Sequence, residues 1–295
     1  MVVSKSIKER LKDAVIMLIL AGAALICLLP IINTLAVSLS DKAKAEAGLV
    51  MLWPIDFTLA SYEKLLTDDL FFNSFWISTQ RVLIGGAINM FLCIIMAYPL
   101  SKEKKYFKAR NIYMWFIVFT MLFGGGLIPW YMLISKLGLI DSFWALVLPG
   151  AVPVFNVILL MNFFRSVPKE LDEAAIVDGA GPWYTLWSIY VPISLPALAT
   201  ITLFTAVGHW NSFFDGLILM NRPQNYPLQT YIQQLIVNTN LQNITDPELL
   251  RKMQEISSRT FNAAKIFVSM IPILMIYPYL QGFFVSGIKL GAVKE

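Results

Sequence analysis

Hydrolytic, redox and metal chemistry all need polar side chains grouped in sets, and this chain has few to offer. Its 295 residues include one histidine and two cysteines. Two thiols and one imidazole cannot assemble a persuasive metal site, and no nucleophile motif places a serine or aspartate beside a base. The glycine cluster Gly124-Gly125-Gly126 lacks the Gly-Lys-Ser/Thr ending that cradles phosphate. Set in or beside an apolar run, it suits close helix packing or a break in the backbone. What remains is polar residues embedded in apolar sequence: His209, Trp210 and Asn211, then Asp215, with Asn156, Asn162 and Asn89 in other runs. Amides and imidazole can bond hydroxyl groups, and aromatic faces suit flat ring faces. His209, Trp210, Asn211, Asp215 and Asn156 are therefore candidates for lining a solute path. The alternative is helix-to-helix hydrogen bonding, worth about 0.6 kcal/mol on average. Both readings stand for His209 and Asn211; glue is the better account of Asn89 and Asn162, and packing the commoner role of Trp210.

The elements that carry these residues are apolar and long. The chain is 57% hydrophobic and 14% charged, with a mean hydropathy of +0.66. A soluble domain carries about 25% charged residues, so lipid must cover surface that one core cannot absorb. Six runs approach the roughly 20 apolar residues that a spanning helix needs: 14–39, 75–100, 112–134, 143–164, 193–220 and 261–286. The first is too long for the apolar core of a cleaved signal and lacks a small-x-small site after it. Cys27 and Cys93 lie inside such runs, which argues against a disulfide. Bases set the orientation. Lys5, Lys8, Arg10 and Lys12 precede the first run, and Lys102, Lys104, Lys105, Lys108 and Arg110 separate the second from the third. Both segments are expected in the cytoplasm, as is the C-terminus with Lys289 and Lys294. Arg81 and Lys265 lie near outer ends and are expected to snorkel to water. The net charge of +4 is spent on these loops, which makes nucleic acid an unneeded partner.

Two outer loops are long. Residues 40–73 should hold a short helix near Ser61–Leu66; residues 221–259 are rich in Asn and Gln, with a helix start at Asp246-Pro247-Glu248. The segment between the fourth and fifth runs is built as a short helix: Ser166 as cap, Pro168 in the first turn, Gly179 and Gly181 at the end, and a second helix from Pro182. Leu171, Ala174, Ala175 and Asp178 share one small face at helical spacing. Such a face either fits a groove in another protein or belongs to an ordinary interfacial loop.

The pattern Glu173-Ala-Ala-Ile-Val-Asp-Gly-Ala180, followed by Ile189-Tyr-Val-Pro192 and Pro196, resembles the EAA loop of binding-protein-dependent ABC importer permeases. Val191 stands where Leu is usual, an apolar exchange. The runs Phe123–Tyr131, Gly138–Pro149 and Gly208–Asp215, and the tail Gly291-Ala-Val-Lys-Glu295, are similar to the carbohydrate-uptake branch, its MalG-like, LplC-type subunits. The resemblance implies an all-α polytopic chain with the six-helix type I importer permease fold. Its permease domain would cover 14–290, with cytoplasmic segments 1–13 and 291–295, the EAA loop at 166–192 and the outer loop at 221–259. It implies a second homologous permease, two ATPase subunits that hold ATP and magnesium, an extracytoplasmic sugar-binding protein and an oligosaccharide substrate. This chain would have no cofactor and no catalytic residue. The family's ATPase-docking role falls on Glu173, Ala174, Ala175, Asp178 and Gly179, and through the tail on Lys294. The loop 221–259 would help dock the sugar-binding protein.

The energy source separates this expectation from its rivals. Ion coupling needs acids or bases deep in the spans, and these runs hold almost none. A gradient-driven transporter or channel would move solute with this chain alone. A membrane enzyme or structural subunit would move none. A permease driven by a motor on another chain is the reading that the loop favours.

Overall fold

The computed structural model describes residues 7–237 and 259–292, and every regular element among them is helical. In chain order these are α1 (Ile7–Ser38), α2 (Lys42–Glu46), α3 (Ala60–Leu65), α4 (Asp69–Ser101), α5 (Arg110–Leu122), α6 (Leu127–Lys136), α7 (Val154–Arg165), α8 (Lys169–Val177), α9 (Pro182–Ile193), α10 (Leu195–Asn211), α11 (Phe214–Leu219), α12 (Leu228–Val237) and α13 (Arg259–Ala292). They form two compact units, Met1–Asp69 with Gln234–Ile271, and Leu70–Gln233 with Pro272–Glu295.

Three stretches are long and apolar enough to cross a membrane: Leu11–Ser38, Asp69–Ser101 and Arg259–Ile276. The other three expected spans are bent pairs, and counting each pair as one crossing gives six. The sequence explains each bend. The 110° turn between α5 and α6 falls on Phe123–Gly126, where Gly126 has φ +87° and opens α6; the glycine cluster is thus a backbone break. A 45° bend separates the 3₁₀ stretch Phe143–Gly150 from α7, at Pro153, which has no N–H to continue a helix. An 82° bend at Ser194 separates α9 from α10, between Pro192 and Pro196. The expected run 193–220 is correspondingly shorter: α10 stops at Asn211, Ser212 is extended, and α11 is a separate turn of helix.

In the first unit α1 keeps its apolar surface bare; Leu18 is 75% exposed, so this helix needs lipid or another chain to cover it. The segment after it folds back onto its end. Asn33 Nδ2 donates to Met51 O at 2.6 Å, and Ser38 and Tyr62 share a hydrogen bond of 2.7 Å. α3 forms within one residue of the helix expected at Ser61–Leu66. Lys265 does not snorkel. It is 1% exposed, pairs with Asp68 at 2.6 Å and lies 4.1 Å above the Phe261 ring, because the 40–69 segment brings an acid to it.

The second unit is built around α4. Cys93, Ile94, Ala97 and Leu100 pack on Val157, Leu160, Met161 and Phe164 of α7 and on Leu198 and Ile201 of α10. Small residues at 93 and 97, one turn apart, let the α7 backbone approach closely. A second cluster joins Ile134 of α6 to Ala145, Leu146, Leu219 and Met220. The chain after α11 is strapped down by Asp141, whose carboxylate accepts from the Asn221 N–H at 3.0 Å and pairs with Arg222 at 3.2 Å. The outer loop expected at 221–259 is seen as far as α12; Asn238 and the Asp246-Pro247-Glu248 start lie outside the described residues, as does Lys294.

Candidate functional site

The second unit brings chemistry-bearing residues together in two places, both on α4. The first surrounds a π-helical turn at Arg81–Gly85, a distortion that frequently marks functional sites. Arg81 reaches Asp215 in α11 with both terminal guanidinium nitrogens, and Ser212 Oγ and the Gly216 N–H donate to the same carboxylate at 2.8 and 2.9 Å. Arg81 is 4% exposed, so it too does not snorkel. A charge-assisted fork of this kind neutralises it where the protein excludes water.

One turn further along α4, Asn89 organises a second knot. Its Nδ2 donates to Gly150 O at 2.9 Å and Ala151 O at 2.7 Å, carbonyls left unpaired at the break before Pro153. Its Oδ1 therefore faces His209 Nε2, 2.5 Å away, and His209 donates. Gly85 makes room for the imidazole: a β-carbon there would stand 3.0 Å from the ring. A polar side chain that satisfies a broken helix in lipid is expected physics.

The five sequence-selected pathway residues thus separate. Asn156 is buried and donates to Thr205 Oγ1 at 3.2 Å, joining α7 to α10. Trp210 is buried edge-to-face on Phe75, with ring centres 5.4 Å apart. Asp215 is held by Arg81, and His209 is half-buried in the Asn89 knot. Asn211 is exposed on the last turn of α10. Asn89 is glue, as expected. Asn162 is not; it points out of the unit from α7 and is exposed. The spacing of Asn162 places it opposite the buried Val157, Leu160 and Met161, so it cannot reach a neighbouring helix of this unit.

The second place is the far end of α4. Helix α8 forms where the loop pattern required it, ends at Gly179 with φ +73°, and is followed by α9 from Pro182. Its cap differs from expectation. Pro168 takes the N-cap position without a side-chain bond, and Ser166 Oγ instead donates back to Phe163 O at 2.7 Å, closing α7. The exposed face also differs. Ala175 is buried against the unit, whereas Glu170, Glu173, Ala174 and Val177 form an exposed stripe at helical spacing, with Val177 85% exposed. Asp178 and Gly179 are exposed at its end.

Sequence reading missed what holds α8. Lys102, the residue after α4, donates to Asp172 of α8 at 2.6 and 2.7 Å and to Tyr190 OH at 2.9 Å. Its ammonium lies 4.5 Å from the Tyr98 ring centre and 4.2 Å from that of Tyr190. Tyr190 packs edge-to-face on Tyr98 and Phe164 at 5.1 and 5.4 Å. Burial pushes the Lys102 ammonium below its usual pKa, and the hydrogen bond to Asp172 opposes that shift. A weaker tie, Lys169 to Glu103, lies in water beside it. Arg110 and Arg165 cap the end of α4 by donating to Leu100 O at 2.9 and 3.3 Å. The one available signal was Tyr190, inside the quoted Ile189–Pro192 motif; nothing local paired Lys102 with Asp172.

Comparisons agree on one kind of protein. The family model described as binding-protein-dependent transport system inner membrane component matches residues 87–290. The polygalacturonan/rhamnogalacturonan transport system permease protein YtcP of Bacillus subtilis is 38% identical over 97% of this chain and 99% of its own length. Protein LplC of the same organism is 36% identical over 97% and 95%. Among solved structures, a chain of a bacterial ABC transporter involved in the import of the acidic polysaccharide alginate superposes with a TM-score of 0.84 at 32% identity, over 95% of this chain and 99% of that one.

Proposed function

Because this chain belongs to the family of binding-protein-dependent transport system inner membrane components, we propose that it is the permease subunit of an ATP-driven sugar importer. It forms half of a membrane pathway with a second, homologous permease. An extracytoplasmic binding protein delivers an oligosaccharide, and two ATPase subunits supply the energy from ATP and magnesium bound on their own chains. The substrate class that the relatives' names support is fragments of acidic polysaccharides.

The observation that carries the coupling role is helix α8. One side is fastened to the end of α4 through Asp172, while the other leaves Glu170, Glu173, Ala174 and Val177 exposed. A short exposed helix with a small centre and acidic flanks fits a groove in a soluble domain. Glu173, Ala174, Asp178 and Gly179 lie at that surface, while Ala175 seats the helix. The salt link between Lys169 and Glu103 puts α8 beside the basic loop 102–110. The positive-inside rule assigns that side to the cytoplasm; with six crossings both termini would lie there too, and α11 with Asp215 would face the outside.

The test is co-expression with the candidate partners. A tagged chain should retain a second permease and an ATPase through purification. In vesicles the assembly should take up an oligogalacturonide only with ATP inside and binding protein outside. Uptake by this chain alone, driven by an ion gradient, would overturn the reading.

A further inference from the structure

We propose that Lys102 is the positioning residue that makes α8 a rigid extension of α4, so that displacement of α8 by the ATPase is carried along α4 to the Asn89–His209 and Arg81–Asp215 contacts. The proposal rests on α8 being the ATPase-docking helix.

Three observations support it. First, Lys102 gathers elements that the sequence keeps far apart. Its ammonium bonds both oxygens of Asp172 in α8 and the hydroxyl of Tyr190 in α9, and lies over Tyr98 of α4 itself. Lys102 and Asp172 side chains are 16% and 23% exposed. Such a pair resists both water and salt far better than a surface pair. Second, α4 is one continuous helix from Asn89 to Ser101, without glycine and with its one proline, Pro99, in the last turn beside Lys102, and its inward face is packed on α7 and α10. Those 13 residues span about 20 Å, so a push at one end arrives at the other instead of being absorbed by a joint. Third, the far end is poised to respond. The π-helical turn, the break before Pro153 and the end of α10 all meet Arg81 or Asn89. Backbone breaks are where helices change direction at low cost.

Glu103 and Lys169 make the same connection between the same segments, yet both side chains are more than half exposed. A mobile surface link cannot fix an angle, so the transmission falls to Lys102.

The experiment uses the assembled transporter in nanodiscs and vesicles. The substitutions are Lys102→Met, Asp172→Asn and Lys102→Arg. Three quantities are read: ATPase subunit retained on purification, ATP hydrolysed, and oligogalacturonide imported per ATP. The expected result is that Lys102→Met and Asp172→Asn still retain the ATPase and hydrolyse ATP, but import falls about tenfold per ATP. Lys102→Arg, which keeps the charge, should recover at least half. Unchanged import per ATP in both neutral variants overturns the proposal. So does loss of ATPase retention in all three variants, which would make Lys102 an assembly residue. If the unsubstituted chain itself fails to retain an ATPase, the docking role of α8 fails instead, before Lys102 is in question.

Discussion

The middle of α4 and its end carry the same chemistry and put it to different uses. At each, a base on α4 meets an acid far along the chain: Arg81 with Asp215, Lys102 with Asp172. Arg81 is 4% exposed, and its acid belongs to a short helix set among backbone breaks. There the pair neutralises a charge that burial would otherwise penalise. Lys102 sits between aromatic rings, and its acid belongs to a helix whose opposite face is bare. There the pair fastens something that a partner must push. The lesson is that an ion pair is interpreted by what its two ends are attached to, since distance and burial alone do not separate the two.

If that contrast is right, breaking the Arg81 pair costs folding and breaking the Lys102 pair costs coupling. Asp215→Leu should have the largest effect on stability. It strands a buried guanidinium, which costs about 3–5 kcal/mol, read as a large drop in thermal midpoint in nanodiscs. The double variant Arg81→Leu with Asp215→Leu should recover much of the loss, because two apolar groups need no pairing. An Asp215→Leu chain as stable as the original would erase the contrast.

Glycines offer a finer cut around the Arg81 pair. A β-carbon at Gly216 would meet Thr230 Oγ1 at 2.2 Å and Pro227 Cγ at 2.7 Å. Pro227 cannot swing aside, so Gly216→Ala should destabilise by about 1–3 kcal/mol through overpacking. Gly85→Ala meets only the His209 ring, at 3.0 Å, which can tilt. Its expected effect is a smaller stability loss with a changed environment for the imidazole, seen by histidine NMR. A Gly85 variant that is more damaging than the Gly216 variant would mean that the His209 knot, not the Arg81 pair, holds this region together.

How much of this was open to sequence depends on the range of the interaction. The six apolar runs were legible because hydropathy is local, as were α3, α8 and the glycine break. The break at Ser212 was not: hydropathy continues through Phe213, Phe214 and Leu217, so an apolar run hid a change of direction. Arg81 and Lys265 were misread for a related reason. From sequence a base near a span end is free to reach water, and only the fold brings Asp215 and Asp68 to them. Ala175 was placed on the partner face because spacing defines a face without saying which side is inward. The EAA pattern located α8 correctly but could not reveal Lys102, 70 residues from Asp172.

At the α8 end, Gly179 sharpens what the helix needs. Its φ is +73°, and no atom lies within 4 Å of where a β-carbon would be. Gly179→Val should therefore cost backbone strain alone, roughly 1–2 kcal/mol, felt as reduced import with little change in thermal midpoint of the whole chain. Gly179→Asn should be milder, because Asn tolerates the left-handed region. If Asn and Val are equally damaging, the position matters for contact with the ATPase and not for ending α8.

The smallest effect is expected at the tie that resembles the Lys102 clamp most closely. The hydrogen bond from Lys169 holds the Glu103 carboxyl below its usual pKa of 4.5, and Glu103 raises Lys169 above its usual 10.5. A depressed acid contributes above its usual pKa and loses that contribution as pH falls through the lowered value. A raised base contributes below its usual pKa and loses it as pH rises through the raised one. The pair is therefore intact across the neutral range, and pH cannot distinguish it from the clamp there. Exposure can. Both groups are in water, where salt screens the charges and side-chain freedom opposes the contact. Glu103→Gln should leave import per ATP unchanged at any ionic strength, while Lys102→Met lowers it at all of them. Should Glu103→Gln uncouple the transporter as strongly, burial would not be what separates a fastening from an incidental contact, and the two links between α4 and α8 would have to be treated as one network.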